Sequence, residues 1–429
     1  MTEAEYIQIV TDQIRTKKVH SYIKRELHDH ICDQKEALLA EGYICEEDAE
    51  KQAIKEMGDP IDVGEKLDKI HRTHYPWRLL ILVAAVILIS LPIIRHLATL
   101  TDAIDVSSAV TLQSQHIVIG IMICAIVGFI DYRQMANFSF VGAVMIIVLL
   151  IAALCQNIYG HVRIGITVFS AISLVPLYIV MYAGSLYVLI RRKLNRLLII
   201  PLELLPVTLL MLLNAYLPAI MLSIGELLIF IRANKVQTKN LYESTAGPLP
   251  YDVINCTILI AAAISATIIA HIQNGQDNYS EIVSTMWKIW RQSNLFGESN
   301  NSINLLKSTA VNPMTDYTFL GITALFGKIA SLAIIVIDTL LVVGIERASS
   351  CVSDISGKLL CNGSSCAMLI QILSSVVSCF TSDSSLGVSV PIMSYGGTGL
   401  MINCIILGIA LSVINYRSVT PFEISIERR

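Results

Sequence analysis

Residues 391–399 read Pro-Ile-Met-Ser-Tyr-Gly-Gly-Thr-Gly, a polar, glycine-dense loop set between two apolar runs, 362–380 and 399–416. Three glycines beside Ser394, Tyr395 and Thr398 let backbone N–H groups approach a ligand that bulkier residues would hold off. Between two stretches of membrane-crossing length, such a loop belongs at a membrane face. Composition agrees: 54% of the 429 residues are hydrophobic, 15% are charged and the mean hydropathy is +0.64, too apolar for a soluble protein of this length.

Outward from the loop, the chain predicts about ten membrane spans. They cover residues 78–97, 114–131, 138–156, 164–190, 197–214, 217–231, 251–271, 317–344, 362–380 and 399–416. The span 217–231 is short, and the region from Asn214 to Pro218 is interrupted by proline. With the amino terminus inside, the intracellular loops hold Arg133, Arg191, Arg192, Lys193, Arg196, Arg232, Lys235, Lys239, Arg347 and Lys358, and the tail holds Arg417, Arg428 and Arg429. The external loops hold Arg163, Lys288, Arg291 and Lys307, with Arg95 at a span end. This positive-inside bias fixes the expected orientation. The fold class expected is all-α: a multi-pass membrane protein with a small cytoplasmic helical domain at its amino terminus.

That domain covers residues 1–74, and the membrane domain covers 75–429. Ile7, Val10 and Ile14, then Ile23, Leu27 and Ile31, recur at helical spacing, and Gly42 stops the second helix. A third helix runs from Glu46 to Met57-Gly58-Asp59-Pro60, where glycine and proline end it. His28 and His30 lie two apart and face different ways, as solvated histidines do and metal ligands do not. The ten cysteines are scattered, Cys361 and Cys366 lack partners for a zinc site, and neither a metal site nor a disulfide framework is expected. The polar first 70 residues show no cleavable signal peptide, so the first apolar span serves as the anchor.

One long external loop follows from the topology, residues 272–316, and loops of that length are usually functional. Its middle carries Ile282, Met286 and Trp290 at helical spacing, with Lys288 and Arg291 beside Trp287 and Trp290. This pattern fits a helix at headgroup level whose cations meet lipid phosphates, or one packed over the bundle. The loop ends in Asn312-Pro313-Met314-Thr315-Asp316-Tyr317-Thr318-Phe319. A carboxylate at such a helix start, partly desolvated by lipid and aromatic neighbours, is suited to a general base; it could equally cap the helix. Glu203, Glu226, Lys328 and Asp338 lie within spans, where a structural ion pair is the expected arrangement.

Two of these stretches carry a family resemblance. Pro391-x-x-Ser394-Tyr395-Gly396-Gly397 ahead of the last span resembles the signature of the SEDS family (the FtsW/RodA/SpoVE type), whose members polymerise the peptidoglycan glycan strand. Thr315-Asp316 with Tyr317 and Phe319 is similar to that family's Thr-Asp-Phe-Ile-Phe-like run, which opens the helix after the largest external loop. Ile130-Asp131-Tyr132-Arg133, the Gly160 to Gly165 loop with Arg163, and Gly408 to Ile414 resemble it more weakly, so the likeness spans about 78–416. Residues 1–74, through Glu26-Leu27-x-x-His30-Ile31, Glu47-Asp48-Ala49 and Met57-Gly58-Asp59-Pro60, resemble the helical prefix domain of some Firmicute permeases and sensors. Elsewhere the family pattern is replaced, by Ser170-Ala171-Ile172-Ser173, Ala215-Tyr216-Leu217-Pro218, Ala324-Leu325 and Ser384-Ser385-Leu386-Gly387.

The resemblance implies a glycosyltransferase acting on lipid II, with undecaprenyl pyrophosphate leaving. It implies Asp316 as the catalytic base. It also implies a substrate site drawn from Arg163, Lys288, Arg291, Lys307, Thr315, Ser394, Tyr395, Gly396 and Gly397. No cofactor is required by this reading; a divalent cation, Mg or Mn, is an alternative stabiliser of the pyrophosphate charge. The implied partners are membrane lipids and a transpeptidase of the class B penicillin-binding type, and nucleic acid is not among them. No Gly-x-x-x-x-Gly-Lys-Ser/Thr loop is present, which disfavours ATP-driven transport. Two other functions stay open: a degenerate SEDS scaffold, and a flippase or transporter of lipid-linked precursors.

Overall fold

The computed structural model describes the chain except residues 41–44, 72–75, 102–104, 157–160, 165–166, 192–198, 241–257, 263, 266–276, 310–311, 316, 353, 381–389 and 418–429. It divides into two compact units, Met1–Pro76 with Ile414–Arg429, and Trp77–Val413.

The first unit packs four helices, α1 (Glu3–Asp12), α2 (His20–Ala40), α3 (Glu46–Glu56) and α4 (Pro60–His71). A capping box starts α1: the Glu5 N–H donates to the Thr2 hydroxyl (3.3 Å) and the Thr2 N–H to the Glu5 carboxylate (2.9 Å). Tyr6, Val10, Ile14, Ile23, Ile31, Ala49 and Ala53 form its core, the residues whose spacing marked the helices. The sequence pattern does not announce α4, because proline after Gly58-Asp59 reads as a helix stop. Gly58, with φ +89°, ends α3, and Pro60 then opens the next helix at the position where a missing N–H costs nothing. Arg15 donates its N–H to Asp68 (2.9 Å), tying α4 to the end of α1. His28 is exposed and bonds Glu3, whose hydrogen bond and charge hold the imidazole above its usual pKa; His30 is exposed. Residues 1–74 expressed alone are expected to be soluble and helical by circular dichroism. A random-coil spectrum would mean that this core does not suffice.

Among its described residues the second unit is helical apart from one hairpin. Eight of the described helices are long and apolar enough to cross a membrane: α5 (Trp77–Leu97), α6 (Val106–Phe129), α7 (Tyr132–Gln156), α8 (Val175–Arg191), α10 (Tyr216–Asn240), α14 (Lys328–Ser350), α15 (Ile355–Ser378) and α16 (Gly397–Tyr416). A shorter apolar helix, α9 (Ile199–Leu212), precedes α10. Most of the span expected over 251–271 lies outside the described residues. The chain is a multi-pass all-α membrane protein.

Its centre is α15, along which even Ser364, Ser374 and Ser375 are buried. Small residues let the neighbours close in, as membrane helices require where apolar burial gives no preference for protein over lipid. A Cβ on Gly363 would meet that of Ala183 at 2.9 Å, and one on Gly225 would meet the Ile370 side chain at 2.7 Å. Outer helices instead expose Leu88, Ile126, Phe138 and Val336, a surface suited to acyl chains.

Three expected spans are corrected. The span 164–190 opens as a hairpin, β1 (His161–Ile164) paired antiparallel with β2 (Thr167–Ser170), before α8 begins at Val175. Pro218 does not break the region after Asn214. Asn214 makes a left-handed turn (φ 59°), which asparagine tolerates, and Pro218 sits in the first turn of a full-length α10. The span 317–344 is two helices, α13 (Thr318–Phe326) and α14, separated at Gly327 with φ +91°. Within the long loop expected over 272–316, the described residues form α11 (Asp277–Gln292) and α12 (Asn300–Ser308).

Candidate functional site

The two stretches singled out in the sequence meet. The Tyr395 N–H donates to the Met314 carbonyl at 2.8 Å, joining the glycine-rich loop to the residue beside Thr315. The Thr318 hydroxyl donates to the same carbonyl (3.1 Å) and to that of Thr315 (2.8 Å). Asn312 closes the turn from the other side, its side-chain oxygen accepting from the Met314 N–H (3.0 Å) and its carbonyl from the Tyr317 N–H (3.3 Å). Met314 and Tyr317 are buried, and Thr315 is half-buried. Asp316 lies outside the described residues, as do Gly160, Gly165 and Ser384 to Gly387. The N-cap of α13 is Tyr317, without a side-chain cap bond.

The loop itself is strained. Ile392 sits at φ +64°, unusual for a β-branched residue, with the Met393 N–H donating to the Pro391 carbonyl at 2.7 Å across a tight turn. Gly396, at φ +145°, has nothing within 4 Å of where a Cβ would stand. Ser394 is buried; Tyr395, Gly396 and Gly397 are half-buried.

Two residues of α6 that sequence reasoning missed complete the surroundings. The Gln113 amide, fully buried, spans the loop backbone: its nitrogen donates to the Ser394 carbonyl and its oxygen accepts from the Gly396 N–H, both at 3.4 Å. The His116 ring lies against Gly397, where an added Cβ would stand 2.8 Å from Nε2. Its Nδ1 is buried without a hydrogen-bond partner among the described residues. Both precede or open the span expected at 114–131, where polar residues read as a water-facing approach. Asp105 caps α6, and the Ser107 hydroxyl with the Ser108 N–H holds its carboxyl below the usual range.

The four cations expected at the site are exposed. Arg163 is exposed on the hairpin, its N–H donating to Gln156 (2.7 Å); Lys288, Arg291 and Lys307 are exposed on α11 and α12. Among the described residues no hydrogen bond or ion pair joins any of the four to residues 390–399. For α11, packing over the bundle is what the structure shows: Trp290 stacks on Phe319 (5.7 Å, 17°), and Trp287 lies 4.7 Å from Phe380 between ring centroids. Lys328 is the first residue of α14, at the very end of that candidate span. Its ammonium lies 5.6 Å from the Trp290 ring centroid and 3.5 Å from the Arg291 carbonyl.

The ion pairing expected of the intramembrane acids is also corrected. Glu203 accepts a hydrogen bond from the Tyr182 hydroxyl (2.5 Å), while Glu226 and one oxygen of Asp338 have no partner among the described residues. A charged pair does occur nearby, Arg232 with Glu346 (3.3 Å), whose carboxylate also accepts from Ser365 (2.6 Å). No group of three or more His, Cys, Asp or Glu placed to hold a metal occurs among the described residues, so these offer no donor set for Mg or Mn.

This arrangement, a central small-residue helix with two loop segments joined by a hydrogen bond, has solved counterparts. The rod-shape-determining protein RodA of Thermus thermophilus superposes with TM-score 0.56 over 80% of this chain and 97% of its own, at 18% identity. The chain has the RodA fold. A mutant of the same RodA matches with TM-score 0.54, over 80% of this chain and 98% of its own at 18% identity. So does a chain of a peptidoglycan synthase complex that coordinates polymerisation and crosslinking, with TM-score 0.54 and the same coverage at 17% identity. No family model matches the sequence, and no curated protein does.

Proposed function

We propose that this chain is a membrane glycosyltransferase that polymerises lipid II into glycan strands. The observation that carries the reading is the Tyr395 to Met314 hydrogen bond. It brings together, on a RodA fold, the two stretches whose residues resemble the SEDS motifs. The 4-hydroxyl of one lipid II sugar attacks the anomeric carbon of the growing chain, the new glycosidic bond replaces the bond to undecaprenyl pyrophosphate, and Asp316 takes the hydroxyl proton. The glycine-rich loop lines the headgroup site. Exposed Arg163, Lys288, Arg291 and Lys307 offer positive charge to the pyrophosphate, each acting from the bilayer surface and not from a preformed cluster. A class B penicillin-binding transpeptidase is the proposed partner, in keeping with the synthase complex among the similar structures. The deciding experiment is glycan polymerisation from purified protein and lipid II, with and without such a transpeptidase. Strands visible on a gel support the reading, and inactivity under both conditions favours a scaffold that has kept the fold and lost the chemistry. The replacement of family residues at Ser170 to Ser173 and at Ala324-Leu325 is what keeps that second reading specific.

The chemistry requires residues 272–316 to face outward, which the distribution of Lys and Arg supports. A cysteine introduced at Asn300, which is exposed on α12, is expected to react with an impermeant thiol reagent from outside intact cells, and one at Lys235 is not. The opposite labelling would overturn both orientation and site.

A further inference from the structure

We propose that Gln113 is a positioning residue for this site, holding the glycine-rich loop in its strained conformation and, through it, the turn that carries Thr315. Three observations carry the inference, which rests on the polymerase reading for its kinetic consequence. The first is geometry: a single buried amide reaches two points of the loop backbone, donating to the Ser394 carbonyl and accepting from the Gly396 N–H, so it fixes Tyr395 between them. Each contact is long at 3.4 Å, and neither alone would define the loop; the pair, made by one planar group, sets the loop's distance and tilt from α6.

The second observation is strain. Ile392 at φ +64° lies in a sparsely populated region that is strained for such a residue and persists only where the surroundings over-determine it. Gln113 supplies that constraint on the carboxyl side of Ile392. One helical turn on, His116 supplies a steric floor, because its ring occupies the space that any side chain at 397 would need. The third is transmission. The Tyr395 N–H that Gln113 brackets is the donor to the Met314 carbonyl, which also takes the Thr318 hydroxyl. A shift of the loop away from α6 therefore pulls on the 312–318 turn.

The test uses the full chain in nanodiscs and two readouts. Gln113→Met keeps the length and removes both hydrogen bonds. Amide exchange across 390–400 is expected to rise about 2- to 10-fold, the loss corresponding to about one net hydrogen bond, with α15 as an unchanged folding control. With lipid II, kcat is expected to fall about tenfold with KM within about twofold, the pattern of an interaction that matters to positioning and not to uniform binding. Gln113→Glu, which in its neutral form can donate to Ser394 and still accept from Gly396, is expected to restore both. Unchanged exchange in Gln113→Met overturns the proposal, as does raised exchange with unaltered kcat. If α15 loses protection in Gln113→Met, Gln113→Asn replaces it, keeping the amide but withdrawing it by one methylene; the same two readouts then decide. If the wild type does not turn over lipid II, the polymerase reading falls, while loop exchange still decides whether Gln113 positions the loop.

Discussion

Asp316→Asn is expected to lower lipid II polymerisation by at least ~10²-fold, the usual loss when a general base is removed, while folding and lipid II binding persist. The substitution preserves size and hydrogen bonding and removes only the ability to accept the proton from the attacking hydroxyl. The competing role, helix capping, gives the opposite result, since asparagine caps about as well as aspartate. Turnover by purified protein is the measurement, with thermal unfolding as the control for folding. An Asp316→Asn protein as active as wild type would remove Asp316 from the mechanism. It would leave the loop contact between Tyr395 and Met314 without a catalytic group to position.

Much of the fold could be read from the chain because lipid imposes a simple code: a run of apolar residues long enough to cross must be helical. The spans 78–97 and 399–416 correspond to α5 and α16 nearly residue for residue. The same code fails where apolar composition continues through a change of backbone. Val162, Ile164, Val168 and Phe169 are as hydrophobic as a helix interior, yet they pair as a hairpin, and an apolar run by itself does not distinguish the two. Gly327 inside the run 317–344 was the available signal for a break, and Pro60 was the available signal for a helix start as much as for a stop.

The site was legible in parts for a similar reason. Glycines, an aspartate and aromatics crowded into short segments stand out against an apolar background, and two such segments proved to be hydrogen-bonded neighbours. Gln113 and His116 did not stand out. Gln113 contacts Ser394 across 281 positions of sequence, and nothing local marks a glutamine near the start of a span as the partner of a distant loop. Charge and position made Arg163, Lys288, Arg291 and Lys307 natural ligands for pyrophosphate, and their side chains stand exposed. Lys328, the first residue of α14, lies beside Trp290 where α13 and α14 meet.

That junction gives the largest expected effect on stability. Gly327 adopts φ +91° and ψ 168°, a backbone region that only glycine occupies without strain. A Cβ there would stand 2.6 Å from the Leu295 carbonyl oxygen and 2.9 Å from the Phe296 Cα, and these are backbone atoms that cannot rotate aside. The same backbone is tied down on both sides. Gly297 and Ser299 donate to the carbonyls of Phe326 (3.1 Å) and Ala324 (3.0 Å), and Lys328 and Ile329 donate to those of Asn294 (3.0 Å) and Leu295 (3.2 Å). Gly327→Ala must therefore either accept strain and overlap together, at about 2–5 kcal/mol, or release the segment that follows α11. A lower thermal unfolding midpoint of the purified protein and faster proteolysis within 277–308 are expected. Gly399→Ala is the matched control, since Gly399 is helical and nothing lies within 4 Å of its added Cβ; it should be neutral or slightly stabilising. If the two variants unfold alike, the left-handed junction at Gly327 is wrong, and with it the division of the 317–344 region into a short buried helix and a membrane span. If they differ as stated, the segment between α11 and α12 is fastened to the site's own helix by backbone hydrogen bonds. The Trp290 stack on Phe319 is then part of one rigid wall beside the Thr315 turn.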